Sequence, residues 1–147
     1  VENTGEKEMT YGIGIHPGFI MEDREAMVFI ESEDNASIIL DAKGDIVKKE
    51  RVEETLPLSF FSNSTTLIVP GAKKARVKGK DREVEINLTH FKNLVIWRSG
   101  NDPFICLEAW DNLPSKNGEE ENFNTRSNTV KQEKSSTLQF ESVFYFS

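Results

Sequence analysis

The strongest chemical signal in this sequence lies in seven residues, Phe104-Ile105-Cys106-Leu107-Glu108-Ala109-Trp110. Alternation along a strand sends Phe104, Cys106, Glu108 and Trp110 to one face and Ile105, Leu107 and Ala109 to the other. Both faces are apolar except for Glu108, so such a strand belongs in the interior. A lone carboxylate there costs several kcal/mol unless it is neutralised, paired or used in chemistry. Glu108 is therefore the first candidate for a functional group, the alternative being a buried glutamate paired with a basic side chain.

A second signal is Tyr11-Gly12-Ile13-Gly14-Ile15-His16-Pro17-Gly18-Phe19. Tyr11, Ile13 and Ile15 share one face of an extended segment, while Gly12, Gly14 and His16 share the other. Glycines beside a histidine let a ligand approach the backbone closely, and Pro17 ends the ladder just after His16, as at the mouth of a groove. His16 is the second candidate, against the plainer reading of a structural histidine at a strand end. His90 closes the alternating run Val84, Ile86, Leu88, so parity points it inward. A metal site would require His16 and His90 to converge with a carboxylate, which the spacing does not demand, and no metal is expected. The glycine spacing is not the dinucleotide fingerprint, and no G-x-S-x-G elbow is present.

These residues need strands to hold them, and strand signals run from end to end. Strands are predicted over 9–16, 26–31, 37–40, 66–69, 73–78, 82–89, 94–97, 104–110, 125–132 and 137–146. Turn-rich segments separate them: Asp41 to Asp45, Pro70-Gly71, Ser99 to Pro103 and Pro114 to Gly118. No window keeps a helical apolar period unbroken, so the class is all-β, a sandwich or barrel. The acidic runs Glu31 to Asp34 and Glu119 to Glu121 read as solvated loops.

Composition narrows the function classes. The 147 residues, 37% of them hydrophobic, suffice for one domain with a real core. With 18 Lys+Arg against 25 Asp+Glu the formal charge is -7, which argues against nucleic acid as partner. The single cysteine, Cys106, cannot form an internal disulfide, and a reducing, cytoplasmic setting is expected. No apolar run is long enough for a membrane helix, so no membrane partner is expected. A first residue of Val rather than Met suggests a fragment or a processed product.

Two segments together resemble a known family. Asn3-Thr4-Gly5, Met9 and Gly14-Ile15-His16-Pro17-Gly18-Phe19 are similar to the segment ending in H-P-x-F of the aldose 1-epimerase (galactose mutarotase) family, in its shorter bacterial branch. Asn93-Leu94-Val95-Ile96-Trp97, followed by Pro103-Phe104-Ile105-Cys106-Leu107-Glu108-Ala109-Trp110, resembles that branch's signature ending in F-x-C-i-E-P-W. The motifs stand in the family's order about ninety residues apart, and the likeness spans nearly the whole chain.

The resemblance implies an antiparallel β-supersandwich, with residues 1–147 as one epimerase-like domain lacking its N-terminal half. It implies that Glu108 is the general base and His16 the general acid of anomer interconversion on a galactose- or glucose-type hexose, without a cofactor. Gly14, Phe19, Trp110 and His90 are expected to contact the sugar, and Trp97, Trp110 and Phe19 could stack on it. A homodimer or a second chain could supply the missing half. The chain departs from the family in three ways. Ala109 replaces a proline, which could loosen the strand that aims Glu108. Asn63-Ser64-Thr65 stands where an acidic residue is usual. The length is about half, and the family's substrate-binding arginine would precede Val1. A non-catalytic carbohydrate-binding protein of the same fold is the rival expectation. An epimerase for a phosphorylated hexose, using Lys73, Lys74 and Arg76, is a third.

Overall fold

The computed structural model describes residues 1–113, 130–132 and 143–146. Its strands are β1 (Met9–Tyr11), β2 (Gly14–Ile15), β3 (Gly18–Ile20), β4 (Met27–Glu31), β5 (Ala36–Leu40), β6 (Ile46–Arg51), β7 (Thr55–Pro57), β8 (Thr66–Pro70), β9 (Lys74–Lys78), β10 (Glu83–Asn87), β11 (Asn93–Trp97), β12 (Phe104–Trp110), β13 (Val130–Gln132) and β14 (Val143–Phe146). A single 3₁₀ turn, Leu58–Phe61, lies between β7 and β8, and there is no other helix among the described residues.

Two antiparallel sheets carry the fold. The larger has seven strands in the order β2-β12-β11-β8-β5-β6, with β3 also paired to β12, and the smaller runs β14-β10-β9-β4-β7. A separate ladder joins β1 to β13. The period-two pattern explains the packing. Val28 and Ile30 of β4, Ala75 and Val77 of β9, and Val84 and Ile86 of β10 bury their side chains in one cluster. The same cluster takes in Leu67 and Val69 of β8, Leu94 and Ile96 of β11, and Ile105, Leu107 and Ala109 of β12. Each fully buried Leu, Ile or Val there contributes about 1.5 to 3 kcal/mol of transfer free energy. Alternate residues of the larger sheet face the other way, where Leu40, Ile68 and Val95 form a second, smaller apolar cluster. Glu108 belongs to that second face, opposite Val95, which is itself opposite Ile68.

Where the elements differ from expectation, the causes are local. The predicted strand over 9–16 breaks into β1 and β2, because the Ile13 N–H donates to Asn112 Oδ1 (2.8 Å) instead of to a neighbouring strand. Strand β6 was not expected. Its Lys48-Lys49-Glu50-Arg51 run has no apolar alternation, and it lies at the sheet edge, where charged side chains discourage pairing with other chains. The turn before it does match, with Lys43 and Asp45 N–H groups donating to Asp41 Oδ1 and Gly44 at φ +85°. Strand β10 stops at Asn87, and Phe91 N–H donates to the Leu88 carbonyl at 3.2 Å, closing a turn. That turn ends the parity argument for His90, which is exposed rather than inward. Of the two last predicted strands, residues 130–132 and 143–146 are strand, and the rest of both lies outside the described residues, as do the 114–118 loop and the Glu119 to Glu121 run.

Candidate active site

Register brings the two principal candidates together. Ile15 pairs with Ala109 and Gly18 with Cys106, so the pairing of this edge with β12 continues without a shift across the gap between β2 and β3. His16 therefore stands opposite Glu108, and directly opposed side chains share a face at close range. The result is a contact of 3.2 Å between His16 Nε2 and Glu108 Oε1. The two ends differ sharply in environment: the His16 side chain is 55% exposed, that of Glu108 only 1%.

Glu108 lies over an apolar floor, and neither of its oxygens has a hydrogen-bond partner of good geometry among the described residues. Burial pushes its carboxyl group up to about 8 from an ordinary 4.5. The Trp110 side chain pulls in the opposite direction, but it falls short of a well-formed hydrogen bond, and burial prevails. The Cys106 thiol, on the same face two residues earlier, is pushed up to about 11 by burial first and by Glu108 second.

The end of β12 is held firmly despite Ala109 in place of proline. Asn93 Nδ2 donates to the Trp110 carbonyl at 3.1 Å, and Asp111 N–H donates to the Ile13 carbonyl at 2.9 Å. Asn112 grips the other side through the Ile13 N–H, and Lys92 pairs with the buried Asp111 at 3.3 Å. The strand that aims Glu108 is thus clamped by side chains rather than by a proline ring.

Around the pair, Gly12, Ile13, Gly14, His16, Trp110 and Asn112 line an open groove of about 320 Å³. Trp97 meets the His16 ring edge-on, with centroids 6.0 Å apart, and Phe104 lies 6.0 Å beyond it. Trp97 and Trp110 thus both lie beside His16, Trp97 against its ring and Trp110 in the same groove.

Other expectations are corrected. Gly14 does line the groove, but the space that a Cβ there would fill is taken by the indole, with Trp110 Cδ1 2.9 Å away. Gly12 makes room for Asn112 in the same way, at 2.9 Å. Phe19 is opposite Ile105, hence on the core face, where it packs against Phe144 and Phe146 with centroids 5.4 and 5.9 Å away. Its odd separation from His16 was the available clue. His90, exposed on its turn, is not among the residues lining the groove. Lys73, Lys74 and Arg76 pair with Glu33, Glu85 and Glu83, so none forms an open phosphate pocket. Asn63 is exposed, and Ser64 Oγ beside it accepts the Gly100 N–H at 3.0 Å. Cys106 is the residue whose placement the sequence showed without its use being evident. His16, Cys106 and Glu108 present ligand atoms within 4.8 Å of one another, with Cys106 rather than His90 in the third place.

No protein-family model and no curated protein matches the sequence. Solved structures do match. A galactose mutarotase-like protein from Lactobacillus casei is 19% identical with a TM-score of 0.75, over 99% of this chain and 54% of that one. A galactose mutarotase related enzyme from Lactobacillus acidophilus is 16% identical with a TM-score of 0.75, over 99% and 53%. A candidate aldose 1-epimerase from Escherichia coli is 14% identical with a TM-score of 0.57, over 98% and 51%. The fold is therefore that of the galactose mutarotase-like sandwiches, and the chain spans about half the length of the structures it matches.

Proposed function

We propose that this chain carries the proton-transfer pair of an aldose 1-epimerase, interconverting the α and β anomers of a hexose of galactose or glucose type. The observation that carries this reading is the His16–Glu108 contact, an exposed imidazole 3.2 Å from a buried carboxyl group with no other polar partner of good geometry among the described residues. Ring opening needs a base for the anomeric hydroxyl and an acid for the ring oxygen. Glu108, as carboxylate, takes the proton from the C1 hydroxyl while the C1–ring-oxygen bond breaks and a C1 carbonyl forms. His16, as imidazolium, gives its proton to the ring oxygen. Rotation about the C1–C2 bond presents the other carbonyl face, and the same two transfers in reverse close the ring. Protons and electrons balance within the sugar and the pair, so no cofactor takes part.

The raised proton affinity of Glu108 suits the task, since a carboxylate that binds its proton at about 8 is a stronger base than an exposed one. Each properly placed acid or base contributes roughly 10²- to 10⁴-fold. In this reading the remaining sugar contacts come from outside residues 1–147, whether from the same polypeptide, another copy or a different chain. A reducing, cytoplasmic setting accords with a lone buried thiol. One observation favours a binding role instead, the uncharged and exposed Asn63 where the resemblance expects an acid. The two readings part on Glu108→Gln. An epimerase loses mutarotation but keeps sugar affinity, because the amide preserves shape while accepting no proton. Unchanged mutarotation in that variant removes Glu108 as the base.

A further inference from the structure

The same register that opposes His16 to Glu108 sets Gly18 opposite Cys106, and this glycine contributes no side chain over the thiol. The thiol, the imidazole and the carboxyl group then converge from two strand segments, their ligand atoms within 4.8 Å of one another and one pair already at 3.2 Å. In a tetrahedral zinc site with bonds of about 2.0 to 2.3 Å, neighbouring ligand atoms stand roughly 3.3 to 3.8 Å apart. The widest of the three separations here is at most 4.8 Å, about 1 Å beyond that spacing, and His16, with its side chain 55% exposed, is the ligand with room to rotate. Glu108 adds a further sign, since neither of its buried oxygens has a hydrogen-bond partner of good geometry among the described residues, His16 Nε2 at 3.2 Å and the Trp110 side chain being the polar groups beside it. A carboxylate so placed gains more from a cation than an exposed one, having little solvation left to lose.

We propose that His16, Cys106 and Glu108 form a three-ligand site for a thiophilic divalent cation of the zinc type, entered from the groove on the His16 side. A sulfur–nitrogen–oxygen set selects zinc, cobalt or cadmium over magnesium or calcium, which prefer all-oxygen shells. Three protein ligands leave a fourth position towards the groove for water. Binding replaces the thiol and carboxyl protons, released to solvent, by metal–sulfur and metal–oxygen bonds, with no change of oxidation state. A cation held there takes both groups that the proposed epimerisation uses and blocks it. That consequence rests on the epimerase reading, whereas the site itself does not.

The test is a titration of the whole, untagged chain with Co²⁺ alone, reading the near-ultraviolet thiolate-to-cobalt charge-transfer band. The site predicts a band that saturates at one equivalent and is bleached by Zn²⁺. Cys106→Ser should abolish it. His16→Gln and Glu108→Gln should each weaken binding by more than the ~10- to 100-fold typical of losing an outer-shell partner. Should Cys106→Ser fail to fold, the exposed His16 offers a variant that leaves the core untouched. A wild-type chain without the band, or a band of equal affinity in His16→Gln, overturns the proposal.

Discussion

Glu108→Gln should make the protein more stable at alkaline pH even as it removes the proposed activity. The carboxyl group is 1% exposed and holds its proton up to about 8, against an ordinary 4.5. Between those two values the folded chain keeps a proton that the unfolded chain has released. The stability that this proton contributes is therefore complete below pH 4.5 and is lost as pH rises through about 8. At ~1.4 kcal/mol per tenfold change in proton affinity, the rise from 4.5 to about 8 amounts to ~5 kcal/mol. This is an upper figure, because His16 at 3.2 Å offers the charged form partial compensation. Glutamine has no proton to lose. The variant should match the wild type near pH 4.5 and exceed it by ~2 to 5 kcal/mol at pH 8.5. Urea unfolding followed by circular dichroism at pH 4.5, 6.5 and 8.5 measures the difference directly, and pH effects elsewhere in the chain cancel between the two proteins. A difference that stays constant with pH, or that turns against the variant as pH rises, refutes the claim that burial controls Glu108.

His16→Asn keeps a hydrogen-bond donor in the groove but no transferable proton, so turnover measured by polarimetry should fall by ~10²-fold or more while sugar affinity holds. Gly14→Val puts a side chain where Trp110 Cδ1 lies 2.9 Å from the added Cβ, so the indole must move. Tryptophan fluorescence should shift and sugar binding should fail together, and an unchanged spectrum counts against the described packing. Phe19→Leu should cost ~1 kcal/mol in urea unfolding and leave the KM for sugar unaltered, whereas a raised KM would return Phe19 to the binding site.

What could be read without coordinates was whatever depends on a single strand. Alternation alone put Cys106, Glu108 and Trp110 on one face of β12 and Gly14 and His16 on one face of their segment, and the structure agrees. Alternation could not pair His16 with Glu108, because register between residues so far apart depends on the whole sheet, and only the family resemblance brought the two together. His90 failed for a related reason: parity holds only while the strand lasts, and β10 ends at Asn87. Strand β6 was hidden because an edge strand with one buried neighbour needs no apolar period. Ala109 misled in the opposite sense. The proline that it replaces suggested a loose strand end, yet Asn93 and Asn112 supply the restraint from elements distant in sequence.

The central claim, that His16 and Glu108 form an acid–base pair acting on a sugar's anomeric centre, is tested most directly by polarimetry. Freshly dissolved α-galactose and α-glucose relax to their equilibrium anomer mixtures spontaneously, and the wild-type chain should hasten at least one of them in proportion to its concentration. Glu108→Gln at the same concentration should leave the spontaneous rate. Sugar binding without any acceleration by the wild-type chain would contradict the account and make this a carbohydrate-binding sandwich whose buried carboxyl group serves another end.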